Sequence, residues 1–120
     1  MKNLVLIIMV LGTTFLMRAQ QDQNIEILEV TTFKDSIVQP KVQLIDVRTP
    51  EEFEAGHIDN AVNIDFFSEQ FDVDFEKLDK DKPLYIYCRS GNRSAKAAKK
   101  LSDMGFTMIY DLKGGFLKYE

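Results

Sequence analysis

The stretch Leu84-Tyr85-Ile86-Tyr87 is apolar at every position, and a strand of that kind has to be covered on both faces. From Ile25 onward, short apolar runs alternate with segments of helical pattern, the order expected of an α/β domain built on a largely parallel sheet. The strand candidates are Ile25 to Val30, Val42 to Val47, Ala61 to Ile64, Leu84 to Tyr87 and Thr107 to Tyr110. With 120 residues, 45% of them hydrophobic and 28% charged, the chain fits one small domain with a single modest core.

Helix signals fall between the strands. Thr49-Pro50-Glu51-Glu52 joins a capping threonine, a proline at the first helical position and a glutamate three residues past the cap, so a helix starts there and Gly56 ends it. Ser94 to Met104 sets Ala97, Ala98, Leu101 and Met104 on one face, with Lys96, Lys99, Lys100 and Asp103 on the other. Gly105 is its stop, and Gly114-Gly115 precedes a last helical piece, Phe116 to Tyr119. Phe67, Phe71 and Phe75 recur every four residues, with Phe66 beside them. That spacing predicts core packing on a helix; the alternative is an exposed aromatic rim that meets a partner.

The chain before Ile25 reads differently. Lys2 supplies a short positive region, Leu4 to Met17 is almost wholly apolar, and the small Ala19 follows, which is the order of a secretory signal peptide. The apolar run of 14 residues is short of the roughly 20 that cross a bilayer as a helix. We therefore expect residues 1–19 to be a signal peptide, residues 20–120 to be the mature domain, and the protein to be exported to the periplasm, off the membrane after cleavage. Met17 and Arg18 match the small-x-small cleavage pattern poorly, so the cut itself is not fixed by the sequence. Loss of Lys2 and Arg18 leaves 13 basic residues against 19 acidic ones, a net −6, a balance that disfavours nucleic acid and anionic membrane surfaces as partners.

The chemistry-bearing segment is Cys88-Arg89-Ser90-Gly91-Asn92-Arg93-Ser94, a tight polar loop between the apolar strand and a helix. It puts the chain's one cysteine at the carboxyl end of a strand, where open α/β sheets hold their ligands. With one cysteine there is no intramolecular disulfide, and the thiol is either a buried hydrophobe or kept for its reactivity. Here the surroundings favour reactivity. Loop amides and a helix N-terminus turn partial positive charge toward the sulfur, Gly91 permits the backbone angles of an amide cradle, and Arg89 and Arg93 add full charges. Each favours the thiolate, which is already a nucleophile. A guanidinium at a loop end meets solvent and substrate, so Arg93→Ala is expected to weaken anion handling more than folding.

This loop resembles the active-site loop of single-domain rhodaneses. Leu44-Ile45-Asp46-Val47-Arg48-Thr49-Pro50-Glu51-Glu52-Phe53 with Gly56-His57-Ile58 is similar to that family's upstream signature, and Asp111-Leu112-Lys113-Gly114-Gly115-Phe116 to its closing segment. The likeness covers residues 25–120. It implies a rhodanese-like α/β fold, with a central five-stranded, mainly parallel sheet and helices on both faces, and a sulfurtransferase that forms a persulfide on Cys88 without metal or cofactor. The thiolate would take the outer sulfur of a small sulfane-sulfur donor such as thiosulfate and pass it to a thiol or cyanide, or to a redox or sulfur-acceptor protein. Main-chain amides of Arg89, Ser90, Gly91, Asn92 and Arg93 would hold the anionic persulfide, and the two arginines would orient the donor. Asp46 and Arg48, in the same resemblance, are structural. Where rhodaneses often carry tryptophan near the end, this chain has Tyr119.

Three rival readings stand beside this one. Phosphatases and arsenate reductases of the same fold enclose five residues between cysteine and arginine, whereas Cys88 and Arg93 enclose four. A Cys88/His57 hydrolase dyad lacks an identifiable orienting partner, and His57, just after Gly56, is expected to bond locally. The remaining alternative is a binding module that carries sulfur for a partner without turnover.

Overall fold

The computed structural model describes residues 23–120; the proposed signal peptide lies outside the described residues. Five strands, β1 (Ile25–Leu28), β2 (Gln43–Asp46), β3 (Val62–Asn63), β4 (Leu84–Tyr87) and β5 (Ile109–Leu112), form one sheet in the order β1-β5-β4-β2-β3. Every pairing is parallel. The apolar strand β4 is thus the centre of the sheet, and its side chains are covered on both faces as its composition requires. Among the described residues no helix is long and apolar enough to cross a membrane.

Alternation along the strands separates two cores. Ile45, Leu84, Ile86, Cys88 and Ile109 turn to the face covered by α3 (Phe71–Glu76) and α4 (Asn92–Asp103), where Phe71, Phe75, Ala97, Ala98 and Leu101 are buried. Leu28, Leu44, Tyr87 and Leu112 turn to the other face, with Phe33 of α1 (Val30–Ile37), Phe53 of α2 (Pro50–Ala55) and Phe116 of α5 (Phe116–Tyr119). Ala97 and Ala98 of α4 are buried, so this helix lies close on the strand that carries the cysteine.

Several boundaries depart from the sequence reading. The first strand stops at Leu28, and Val30 opens α1, a helix the pattern did not announce. Its first residues, Val30, Thr31 and Thr32, are β-branched poor helix formers, and Glu29 makes no side-chain cap. Packing decides instead: Phe33 is fully buried and meets Tyr85 edge-on, with ring centroids 5.7 Å apart. The last strand runs from Ile109 to Leu112 rather than from Thr107 to Tyr110, which brings Asp111, a poor strand former, into the sheet. The aromatic stripe is broken too. Helix α3 begins only at Phe71, and Phe67 sits in a turn, its amide bonded to the Asp65 carboxylate at 2.9 Å and its side chain exposed. Phe66 replaces it, meeting Phe71 edge-on at 5.8 Å.

Candidate functional site

Helix α2 starts as its sequence dictates. Thr49 Oγ1 accepts from the Glu52 amide at 3.3 Å while Glu52 Oε1 accepts from the Thr49 amide at 3.2 Å, a complete capping box with Pro50 just inside it. The loop after β4 is ended by Gly91, whose φ of +109° is available to glycine at little cost and which caps α4 two residues earlier than the sequence placed the helix. The start of α4 lies on Cys88, through the Gly91 amide.

The sulfur sits at the floor of this loop. Cys88 is 1% exposed; its Sγ accepts from the Gly91 amide at 3.0 Å and lies 3.3 Å from Ser94 Oγ. Arg89, Ser90 and Asn92 are exposed around it, with Gly91 and Arg93 half-buried and Ser94 buried. The predicted loop residues are therefore together, and the amide that reaches the sulfur is that of Gly91. The closing segment supports the loop from behind. The Phe116 amide donates to the Cys88 carbonyl at 2.8 Å and the Leu117 amide to the Arg89 carbonyl at 3.1 Å. A Cβ on Gly115 would come within 2.5 Å of the Arg89 backbone, so only glycine allows this approach.

Arg93 does not stand as expected. Its guanidinium makes a two-pronged bond to Glu52, Nη1 to Oε1 at 2.7 Å and Nη2 to Oε2 at 3.0 Å, rather than facing an open anion site. The Arg93 bond, helped by Thr49 and opposed by burial, holds the Glu52 carboxyl down at about 2, and the same bond raises Arg93. One carboxylate thus caps α2 and ties it to the first turn of α4. The sequence showed Glu52 as a cap but gave no sign of its second partner, because the pair is 41 residues apart. The pairing also corrects the stability expectation for Arg93. Charge-assisted hydrogen bonds contribute about 1.5–3 kcal/mol, so Arg93→Ala is expected to lower the denaturation midpoint measurably. In a double-mutant cycle with Glu52→Gln, a coupling of about 1 kcal/mol or more is expected; additive losses would show that the contact contributes nothing.

Asp46 and Arg48 lie under the site as a buried pair, 0% and 4% exposed. Asp46 accepts from Arg48 Nη2 at 2.7 Å and from Nε at 3.0 and 3.1 Å, and the Arg48 Nη2 also bonds the Gly56 carbonyl at 2.6 Å. Burial pulls the Arg48 guanidinium down and the Asp46 bonds outweigh it, so it is raised. Neither group bonds Cys88. His57 stacks on Phe53, its ring 3.7 Å away, and its Nδ1 lies 2.8 Å from the Phe53 carbonyl, a local role as expected. Asp111 is the buried residue that sequence reading left out of the site; it stands at 3% exposure beside Ser94. Among the described residues no cluster of metal-ligating side chains occurs.

Comparisons with known proteins agree with this geometry. The chain is 49% identical over 79 residues to YqhL of Bacillus subtilis, 66% of this chain and 61% of that protein. It is 41% identical over 98 residues to the adenylyltransferase and sulfurtransferase UBA4 of Candida albicans, and 35% identical over 96 residues to the tRNA uridine(34) hydroxylase of Hamiltonella defensa. It spans only 21% and 27% of those two proteins. Among solved structures, a rhodanese-like domain protein from Staphylococcus aureus superposes with a TM-score of 0.70 at 29% identity, over 79% of this chain and 91% of that one. The model of the rhodanese-like domain matches residues 29–120, and with the all-parallel sheet and the cysteine loop at the end of its central strand, the chain belongs to the rhodanese-like domain family.

Proposed function

We propose that this protein is a sulfurtransferase that carries a sulfane sulfur as a persulfide on Cys88. The observation that carries the reading is the Gly91 amide held 3.0 Å from Sγ at the start of a 12-residue helix. Preorganised donors and a helix N-terminus stabilise an anion placed there, and both the thiolate and the persulfide are anions. The thiolate attacks the outer sulfur of thiosulfate; the new sulfur–sulfur bond forms as the old one breaks, and its electron pair leaves with sulfite. A thiol or cyanide then attacks the outer sulfur and returns Cys88 to the thiolate. Near-complete burial of Cys88 favours a small donor, and the added sulfur extends the reactive atom outward by about 2 Å.

The sulfurtransferase named among the relatives supports sulfur as the cargo. The hydroxylases are named for a different reaction, and in both relatives the matching segment is a minor part of a longer protein. That favours, as a second reading, a persulfide carrier that hands sulfur to a partner protein. Export through residues 1–19 belongs to the same proposal and would place either activity in the periplasm. The test is to incubate the purified protein with thiosulfate and read the intact mass for one added sulfur, then to add cyanide. Loading with steady turnover is expected. Loading without turnover would favour the carrier, and no loading would overturn the sulfur reading.

A further inference from the structure

Asp111 has no part in the reading above, yet it is the one buried side chain, among the described residues, that holds a polar atom without a partner: its Oδ1 is enclosed and unbonded. A buried unsatisfied oxygen is costly, more so on a group able to carry charge. Its position is specific. Asp111 pairs in register with Ile86 of β4, and Ile86 and Cys88, two residues apart, point to the same face. Ile109 shares that face, and so does Asp111, two residues further on. The carboxyl therefore lies beneath the start of α4, one diagonal step from the sulfur.

Ser94 stands between them. Its hydroxyl lies 3.3 Å from Cys88 Sγ and donates to the Gly91 carbonyl at 3.3 Å, and it stands close enough to the Asp111 carboxyl to favour that group's ionised form. A hydroxyl has one hydrogen to give, so Ser94 cannot donate to the sulfur and to Asp111 at once. We propose that Asp111 is a positioning residue for Cys88 that acts through Ser94: protonated, it leaves the serine hydrogen to the sulfur anion, and ionised, it takes that hydrogen for itself. The inference rests on the sulfurtransferase reading, in which the sulfur is anionic before and after loading.

The charge of Asp111 is open to this exchange in the working range. Burial pushes its carboxyl up to about 6, against the opposing influence of the nearby Ser94 hydroxyl. The groups around it add no counter-charge: β4 brings Ile86 and Cys88, α4 brings Ser94 and the buried Ala97 and Ala98, and Ile27 of β1 is its register partner on the other side. Among the described residues it forms no ion pair, and Arg93, the nearest loop cation in sequence to Ser94, is held by Glu52. Cys88 is the titratable partner on that face. Below its midpoint Asp111 supports the sulfur anion; above it, a like charge and a diverted hydrogen oppose that anion.

Asp111→Asn makes the supporting state permanent, since an amide keeps the shape and donates at every pH. The rate of iodoacetamide alkylation of Cys88 should match the unaltered protein at about pH 5 and exceed it about tenfold at about pH 8, the size expected when a like charge beside an anion is removed. In a Ser94→Ala background this gain should shrink. Equal pH profiles for the Asn variant and the unaltered protein would overturn the proposal, and a full gain without Ser94 would overturn the route through it. If Asp111→Asn does not fold, the carboxyl itself can be followed by carbon NMR in the unaltered chain and in Cys88→Ala. Its midpoint should fall when the sulfur is removed, and an unchanged midpoint would refute the coupling. Alkylation needs no sulfur donor, so a protein that fails to load thiosulfate but shows this profile loses the function and keeps the coupling.

Discussion

Cys88→Ser is expected to abolish sulfur loading and thiosulfate:cyanide transfer outright while leaving the fold in place. Serine keeps the shape and finds partners already present: the Gly91 amide at 3.0 Å from the side-chain position and the Ser94 hydroxyl at 3.3 Å. A buried hydroxyl so bonded escapes most of the penalty of an unpaired polar group. Its oxygen, however, stays protonated near neutral pH and makes no bond to sulfur that can be passed on. The loss should therefore be complete rather than graded, with no added sulfur in the intact mass and an unchanged thermal transition. Transfer retained by the serine variant would take Cys88 out of the mechanism, whereas a collapsed transition would mean that the thiol is needed as core.

The sequence was most legible where local chemistry and tertiary position agree. The strand Leu84–Tyr87, the capping box at Thr49 and the loop that starts at Cys88 each carry their own signal within a few residues; the strand and the box stand where they were read, and the loop differs only in ending at Gly91, with Asn92 already in the helix. Helix α1 was illegible because its first turn is written in β-branched residues and its hold on the sheet comes through Phe33 and Tyr85. The Glu52–Arg93 pair and the place of Asp111 were hidden for a related reason. Both depend on which elements meet across the sheet, which the parallel order β5-β4-β2 decides and no short spacing in the chain records. Phe67 misled because its four-residue spacing to Phe71 is that of a helix, while the Asp65 carboxylate holds its amide in a turn instead.

The second large effect is structural. Arg48→Ala is expected to cost about 3–5 kcal/mol of folding stability, the range for removing one partner of a buried ion pair. Asp46 is fully buried at the end of β2, and in the variant it keeps only the Arg48 backbone amide at 2.9 Å of the contacts that Arg48 now gives it. More than charge is lost. The guanidinium bonds the Gly56 carbonyl at 2.6 Å and lies 4.4 Å from the centre of the Phe116 ring, so it joins β2, the end of α2 and the closing helix that supports the cysteine loop. Total stability of a small domain is about 5–15 kcal/mol, so the loss is a large share of what holds the protein together. Removing both charges at once, as Asp46→Leu with Arg48→Met, should recover much of it, because the desolvation cost of the lone carboxylate disappears. Chemical denaturation of the three variants measures this directly. Sulfur loading, assayed cold where Arg48→Ala is still folded, should remain, since neither group bonds the sulfur. Loading lost in a demonstrably folded Arg48→Ala protein would move this pair from the scaffold into the reaction.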